Sequence, residues 1–207
     1  MIKLYTHPMS SNGRRAVMTA HLLGIPFESV VIDLAKGEQK KPEYLAQNPN
    51  GRVPMMVDGD VVLWESLAIM TYLADKTAGQ TLYPTELVAR AQVNKWLFWS
   101  AAHWGPAAAQ LNYENMLKKM FGQGEPDAYT VKRAEALFQD FAGTLDAELG
   151  RHRFIAGETL TLADVAIAPT LMYSDMAKLP IAGRDHLARW FGEMRELDAW
   201  KKTDLAR

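Results

Sequence analysis

The segment from Asn50 to Lys76, NGRVPMMVDGDVVLWESLAIMTYLADK, leaves the chain few folds to choose from. Val53, Met55, Met56 and Val57 form one short apolar run, and Val61-Val62-Leu63-Trp64 forms another. Asp58-Gly59-Asp60 lies between them, and Asp-Gly in that setting is the strongest short-range hairpin signal. Leu67, Ile69, Met70, Tyr72 and Leu73 then follow at helical spacing. A strand, a tight turn, a second strand and a helix are therefore predicted without a gap. Pro54 heads the first strand, where it removes only a terminal ladder donor. Ser66 opens the helix, where free N–H groups and the positive end of the dipole can hold an anion. Both residues also have plain structural uses, as a cap and as a turn proline.

The residues before this segment supply the rest of a small α/β unit. Ile2 to Thr6 alternates as a half-buried strand, and His7 to Gly13 has the composition of a loop. Ala16, Val17, Ala20 and Leu23 place a helix over Arg14 to Leu23, which Gly24-Ile25-Pro26 ends. Phe27 to Leu34 alternates again, so strand, helix and strand imply a parallel pair with a right-handed crossover. Lys36 to Lys41 reads as a polar loop, Pro42 to Gln47 as a short helix, and Asn48-Pro49-Asn50-Gly51 as a turn. The order is βαβαββα.

After a linker around Thr77 to Thr85 no strand signal returns. Glu86 to about Met120 is long and helical, interrupted at Gly105-Pro106, where proline removes a backbone bond and should kink it. Val131, Ala134, Phe138, Phe141, Leu145 and Leu149 step by three and four along a further helix opened by Glu125-Pro126-Asp127. Thr161-Leu162-Ala163-Asp164 has the form of a capping box, with Leu160 and Val165 spaced for a hydrophobic staple. The helix that follows, through Ala166, Ile167, Ala168, Leu171 and Met172, is apolar nearly all round and so predicted to be central and buried. Two short covering helices complete the chain through Trp190, Phe191 and Trp200.

Composition removes several chemistries. The 207 residues contain no cysteine, which excludes disulfides, thiolate metal sites and a cysteine nucleophile. Any sulfur chemistry must use a thiol that the ligand brings. The five histidines show no ligand spacing with carboxylates, so no metal is expected. A formal net charge of −1 without runs of one sign gives no footprint for nucleic acid or an acidic membrane surface. No apolar stretch is long enough for a bilayer span, and the N-terminus MIKLYTHPMSS lacks a signal-peptide core, so a soluble cytoplasmic protein is expected.

Gly-x-Val-Pro, a hairpin, Glu-Ser and an amphipathic helix together resemble the glutathione-binding half of the glutathione S-transferase family. The resemblance covers the whole chain and implies a thioredoxin-like α/β domain over residues 1–79 and an all-α domain over 86–207. It implies glutathione as co-substrate, a small hydrophobic electrophile as acceptor, and a homodimer. Glutathione carries a carboxylate and an ammonium at its γ-glutamyl end, which the resemblance assigns to Ser66 and Glu65. Val53, before Pro54, meets the cysteinyl backbone, while Gln39, Lys40 and Arg52 match positions that take the glycine carboxylate.

The thiolate needs a donor, since a free thiol titrates at about 8.5. Pro8-Met9-Ser10-Ser11-Asn12 followed by Gly13-Arg14-Arg15 resembles serine-type members, the plant phi class in particular, and also a bacterial nu-like Thr/Ser-x-Asn pattern. Both resemblances select Ser10 as catalytic donor, with Asn12 as a second; Ser11 and the strand residue Tyr5 are the other choices. Without the resemblance, Ser10, Ser11 and Asn12 read as helix caps. Met9 and Ser11, with His103, Trp104, Tyr113 and Tyr173 on the later helices, are the expected acceptor pocket; Trp99 and Met116 lie near them. Conjugation is the leading expectation, with glutathione-dependent disulfide or peroxide reduction and a binding scaffold with little catalysis as alternatives.

Overall fold

The computed structural model describes residues 1–204. The chain divides into two compact units, Met1–Pro84 with the segment from Glu196 onward, and Thr85–Arg195. The expected α/β plus all-α organisation is found.

In the first unit β1 (Ile2–Thr6), α1 (Ser11–Leu22) and β2 (Phe27–Val31) form the parallel crossover. A 3-10 turn (Glu38–Lys40) and α2 (Pro42–Leu45) lead to β3 (Met55–Asp58), β4 (Val61–Trp64) and α3 (Ser66–Lys76). The sheet order is β2-β1-β3-β4, with β3 antiparallel to both its neighbours. The β3–β4 loop is Gly59-Asp60, with positive φ at Gly59 (59°) but not at Asp60. A glycine first in a two-residue loop is the II′ arrangement, so Gly-Asp makes the turn rather than the Asp-Gly that the sequence suggests.

Both sheet faces are covered. Ile2, Leu4 and Met56 pack with Ala16 and Ala20 of α1 and Ile69 and Leu73 of α3. Met55 packs on the other face with Ile32 and Tyr44, which is why successive residues of β3 are both buried. Tyr5 joins this second cluster, edge-on to Tyr44 with centroids 6.3 Å apart. The alternation of β1 thus turns Tyr5 to the face opposite Leu4, Ala16 and Ala20.

The helix after β1 begins at Ser11, three residues before the expected Arg14, because Ser10 supplies a cap that composition alone reads as loop. The C-terminal segment also departs from expectation. The sequence assigns 86–207 to the helical domain, yet α10 (Asp198–Lys201) packs on α1 in the first unit. Arg14 holds it there: Nη2 donates to Trp200 O at 2.9 Å and Nε to Thr203 Oγ1 at 3.0 Å, with the guanidinium 3.8 Å over the Trp200 ring.

The second unit contains α4 (Leu87–Trp99), α5 (Gly105–Asn112), α6 (Lys118–Met120), α7 (Ala128–Leu149), α8 (Leu162–Ile167) and α9 (Asp185–Glu196). The interruption expected at Gly105-Pro106 takes the form of a change of helix type rather than a gap. A π turn over Ser100–Trp104, closed by Gly105 N–H to Ser100 O, absorbs the proline, and a second π turn spans Tyr113–Leu117. Along α7 the seam runs through Ala134, Phe138, Ala142, Leu145 and Leu149, while Phe141 and Val131 are only half-buried.

All six residues of α8 are buried, and the chain then tightens into a 3-10 helix (Ala168–Tyr173) containing Pro169. The capping box forms in full. Asp164 Oδ2 accepts from Thr161 N at 2.9 Å, and Thr161 Oγ1 accepts from Ala163 N at 3.3 Å. Asp164 Oδ1 further accepts from Ile155 N (3.0 Å) and Trp190 Nε1 (2.9 Å). Burial still pushes this carboxyl up from its ordinary value, against the pull of those donors. Among the described residues no helix is long and apolar enough to cross a membrane.

Candidate functional site

A cleft of about 100 Å³ opens in the first unit where β3, β4 and the starts of α1 and α3 converge. Arg52, Val53 and Pro54 form one wall, Glu65 and Ser66 another, and Asn12 reaches in from the first turn of α1. Five of the seven residues expected to hold the peptide thus share one cleft with one of the two expected donors.

The walls are held by local chemistry. Asn48, 2% exposed, donates from Nδ2 to Arg52 O at 2.7 Å and accepts at Oδ1 from Asn50 N at 3.1 Å. Tyr44 OH donates to the same Arg52 carbonyl at 2.7 Å. Gly51, at φ 56°, lets the chain pass so close that an added Cβ would lie 2.8 Å from Gln39 O and from Lys40 Nζ. This approach sets Gln39 and Lys40 beside the Arg52 wall. Lys40 Nζ donates to Asn50 O and Gln39 Nε2 to Leu34 O, each at 3.4 Å. The Val53–Pro54 peptide is cis.

At the other wall, Glu65 has φ 73° and ψ 115°, a conformation that non-glycine residues seldom adopt. No side chain caps α3 there. Glu65 is exposed and Ser66 is 5% exposed, so a carboxylate stands at the rim above a hydroxyl at the helix start. Strain of this kind gathers at ligand sites.

The expected donors part company. Asn12 lines the cleft, while Ser10 caps α1, its Oγ accepting from Gly13 N at 3.0 Å. A hydroxyl used in this way keeps its own proton for another acceptor. Ser11 is the first residue of α1, and Met9 N donates to His7 Nδ1 at 3.2 Å.

On the helical unit the expected acceptor residues separate by burial. His103 is exposed, and Tyr113 is 41% exposed with its hydroxyl 2.7 Å from Gln123 Oε1. Trp104 is fully buried; its ring lies 4.5 Å from that of Phe138, and Nε1 donates to Thr170 Oγ1. It is therefore core and cannot line a pocket. Tyr173, 5% exposed, also offers a ligand little surface.

Asn48, Asn50, Trp64 and Arg15 belong to the site without having been foreseen there. Arg15, 5% exposed, donates from Nη1 to Asn12 Oδ1 at 2.6 Å and to Ser66 Oγ at 3.4 Å. Burial lowers its guanidinium to about 10, so it is charged at neutral pH. The Asn12–Arg15 spacing of three on one helix was the available signal. Among the described residues no group of three or more histidines and carboxylates could hold a metal ion.

Comparison with known proteins identifies the family. The glutathione S-transferase N-terminal domain matches residues 1–75, and the glutathione S-transferase C-terminal domain matches 128–193. The chain is 34% identical to glutathione S-transferase F10 of Arabidopsis thaliana, across 95% of its own length and 93% of that protein's. The crystal structure of glutathione transferase F7 from Populus trichocarpa superposes with a TM-score of 0.90 at 30% identity, covering 98% of this chain and 97% of that one. A Pseudomonas fluorescens glutathione transferase family member, solved with two glutathione bound, superposes at 0.89 with 26% identity, covering 98% and 91%.

Proposed function

The chain belongs to the glutathione S-transferase family, and from that premise we propose that it conjugates glutathione to a hydrophobic electrophile. The observation that carries this reading is the single cleft shared by Val53, Glu65, Ser66 and Asn12. The γ-glutamyl carboxylate takes the Ser66 hydroxyl and the free N–H groups at the start of α3, and its ammonium pairs with Glu65. The cysteinyl backbone lies along Val53, and the glycine carboxylate meets Arg52, Lys40 and Gln39. Gln39 Nε2 gives one N–H to Leu34 O and has a second to offer the carboxylate.

The thiolate is held by the Ser10 hydroxyl proton, with the Asn12 amide as second donor, and attacks the electrophilic carbon as its leaving group departs. Neither residue becomes covalently modified. Ser10 acts through a hydrogen bond that is stronger to the thiolate than to the thiol. The acceptor binds on the helical unit, where His103 and Tyr113 keep exposed rings. A homodimer in the cytoplasm accompanies this reading.

A second reading has its own support. Asn12, rather than Ser10, lines the cleft, which suits the Thr/Ser-x-Asn pattern and glutathione-dependent disulfide reduction. With no cysteine in the chain, a mixed disulfide formed by one glutathione must be resolved by a second.

Chlorodinitrobenzene conjugation, hydroxyethyl disulfide reduction and hydroperoxide turnover on one preparation separate the readings. Conjugation is expected to dominate. The pH profile of Ser10→Ala then tests the donor: turnover falls at neutral pH and recovers toward the unaltered rate as pH rises and the ligand ionises unaided. A flat Ser10→Ala profile beside a shifted Asn12→Ala profile transfers the role to Asn12.

A further inference from the structure

Arg15 lies behind the cleft and bonds to two residues on its walls from two different helices. Its Nη1 reaches Asn12 Oδ1 at 2.6 Å in α1 and Ser66 Oγ at 3.4 Å in α3. A guanidinium has donors and no acceptor. Asn12 must therefore meet it through Oδ1, which leaves the amide NH2 as the end a ligand can use. Ser66 Oγ, by accepting from Arg15, keeps its own proton for an acceptor elsewhere.

We propose that Arg15 is a positioning residue of the glutathione site, orienting the Asn12 amide and the Ser66 hydroxyl so that both donate toward the bound anion. The inference rests on the glutathione reading of the cleft and adds to it the reason these two neutral groups act as donors. Lysine is a poor substitute, because an ammonium on a flexible stem lacks the rigid guanidinium plane that fixes where the two N–H groups of Nη1 point. The position also links the helices that carry the two halves of the site.

The test compares Arg15→Lys, Ser66→Ala, their double variant and Asn12→Asp, using calorimetric titration with glutathione and steady-state kinetics with chlorodinitrobenzene. Arg15→Lys is expected to weaken glutathione binding and raise its KM by about tenfold, the scale of one charge-assisted bond. The KM for the electrophile stays within about twofold, which a general loosening of the fold would not spare. In the double variant the two losses combine to less than their product, since both remove the same hydroxyl orientation.

Asn12→Asp keeps the acceptor that Arg15 uses but replaces the amide donor with an acceptor-only carboxylate. It is expected to keep its melting temperature and lose at least about tenfold in glutathione affinity. Should Arg15→Lys fail to fold, Asn12→Asp decides alone. Unaltered affinity in either variant, or losses that multiply in the double variant, overturns the positioning role. Failure of the unaltered protein to bind glutathione overturns the reading of the cleft, and this inference with it.

Discussion

At the start of α8, Thr161 Oγ1 takes Ala163 N and Asp164 takes Thr161 N, and the same carboxylate also takes Ile155 N and the Trp190 indole, all out of reach of water. At the start of α3 the preceding residue, Glu65, is exposed at φ 73°, and no side chain caps the helix. The two helix starts have the same backbone problem, free N–H groups and a positive dipole end. In α8 the protein solves it internally, which stabilises the fold. In α3 no side chain takes those donors and Glu65 is strained beside them, and the proposed function gives the donors to the glutathione carboxylate.

The largest effect on the closed network is expected at Asp164. Asp164→Ala strands the donors of Ile155, Thr161 and Trp190 in a buried site, and should cost at least about 3 kcal/mol in denaturant unfolding. A loss below about 1 kcal/mol would mean the network is not closed in solution. Its pH dependence sharpens the point. The native carboxyl has a raised pKa, so just above the unfolded value of about 3.9 the folded protein keeps a proton that the unfolded chain has lost. The stability this group contributes is complete below that value and is lost as pH rises through the native one. The stability difference between the protein and Asp164→Asn should therefore narrow as pH rises across that window.

Ser66→Ala ranks next, and its effect belongs to the ligand rather than the fold. Glutathione binding should weaken by about 1–3 kcal/mol in calorimetric titration, the range for a hydrogen bond to a charged group. Smaller again is Thr161→Ala, which removes one cap and should cost about 1 kcal/mol in unfolding free energy. Its kcat/KM per folded molecule should match that of the unaltered protein.

The same contrast governs what the sequence discloses. The capping box and the Glu65-Ser66 start were both legible, because each is written within a few residues. Val53-Pro54 and the hairpin were legible for the same reason. Arg15 was not, since its burial follows from the packing of α1 against α3, which local spacing does not encode. The return of Trp200 to Arg14 joins residues 186 apart and leaves no local trace. Trp104 reads equally well as pocket or core until Phe138 and Thr170 are found against it. The π turn at Ser100–Trp104 was missed because a proline can be absorbed by widening a helix as well as by breaking it.

Thermal unfolding of the unaltered protein, Ser66→Ala and Thr161→Ala, each with and without millimolar glutathione, addresses the open-versus-closed distinction in one experiment. A ligand that binds only the folded state raises its melting temperature in proportion to affinity. Ser66→Ala should melt near the unaltered protein without ligand but lose most of the glutathione-induced rise. Thr161→Ala should melt lower and keep that rise in full. An undiminished rise in Ser66→Ala, or none in the unaltered protein, would contradict the claim that the start of α3 is where glutathione is held.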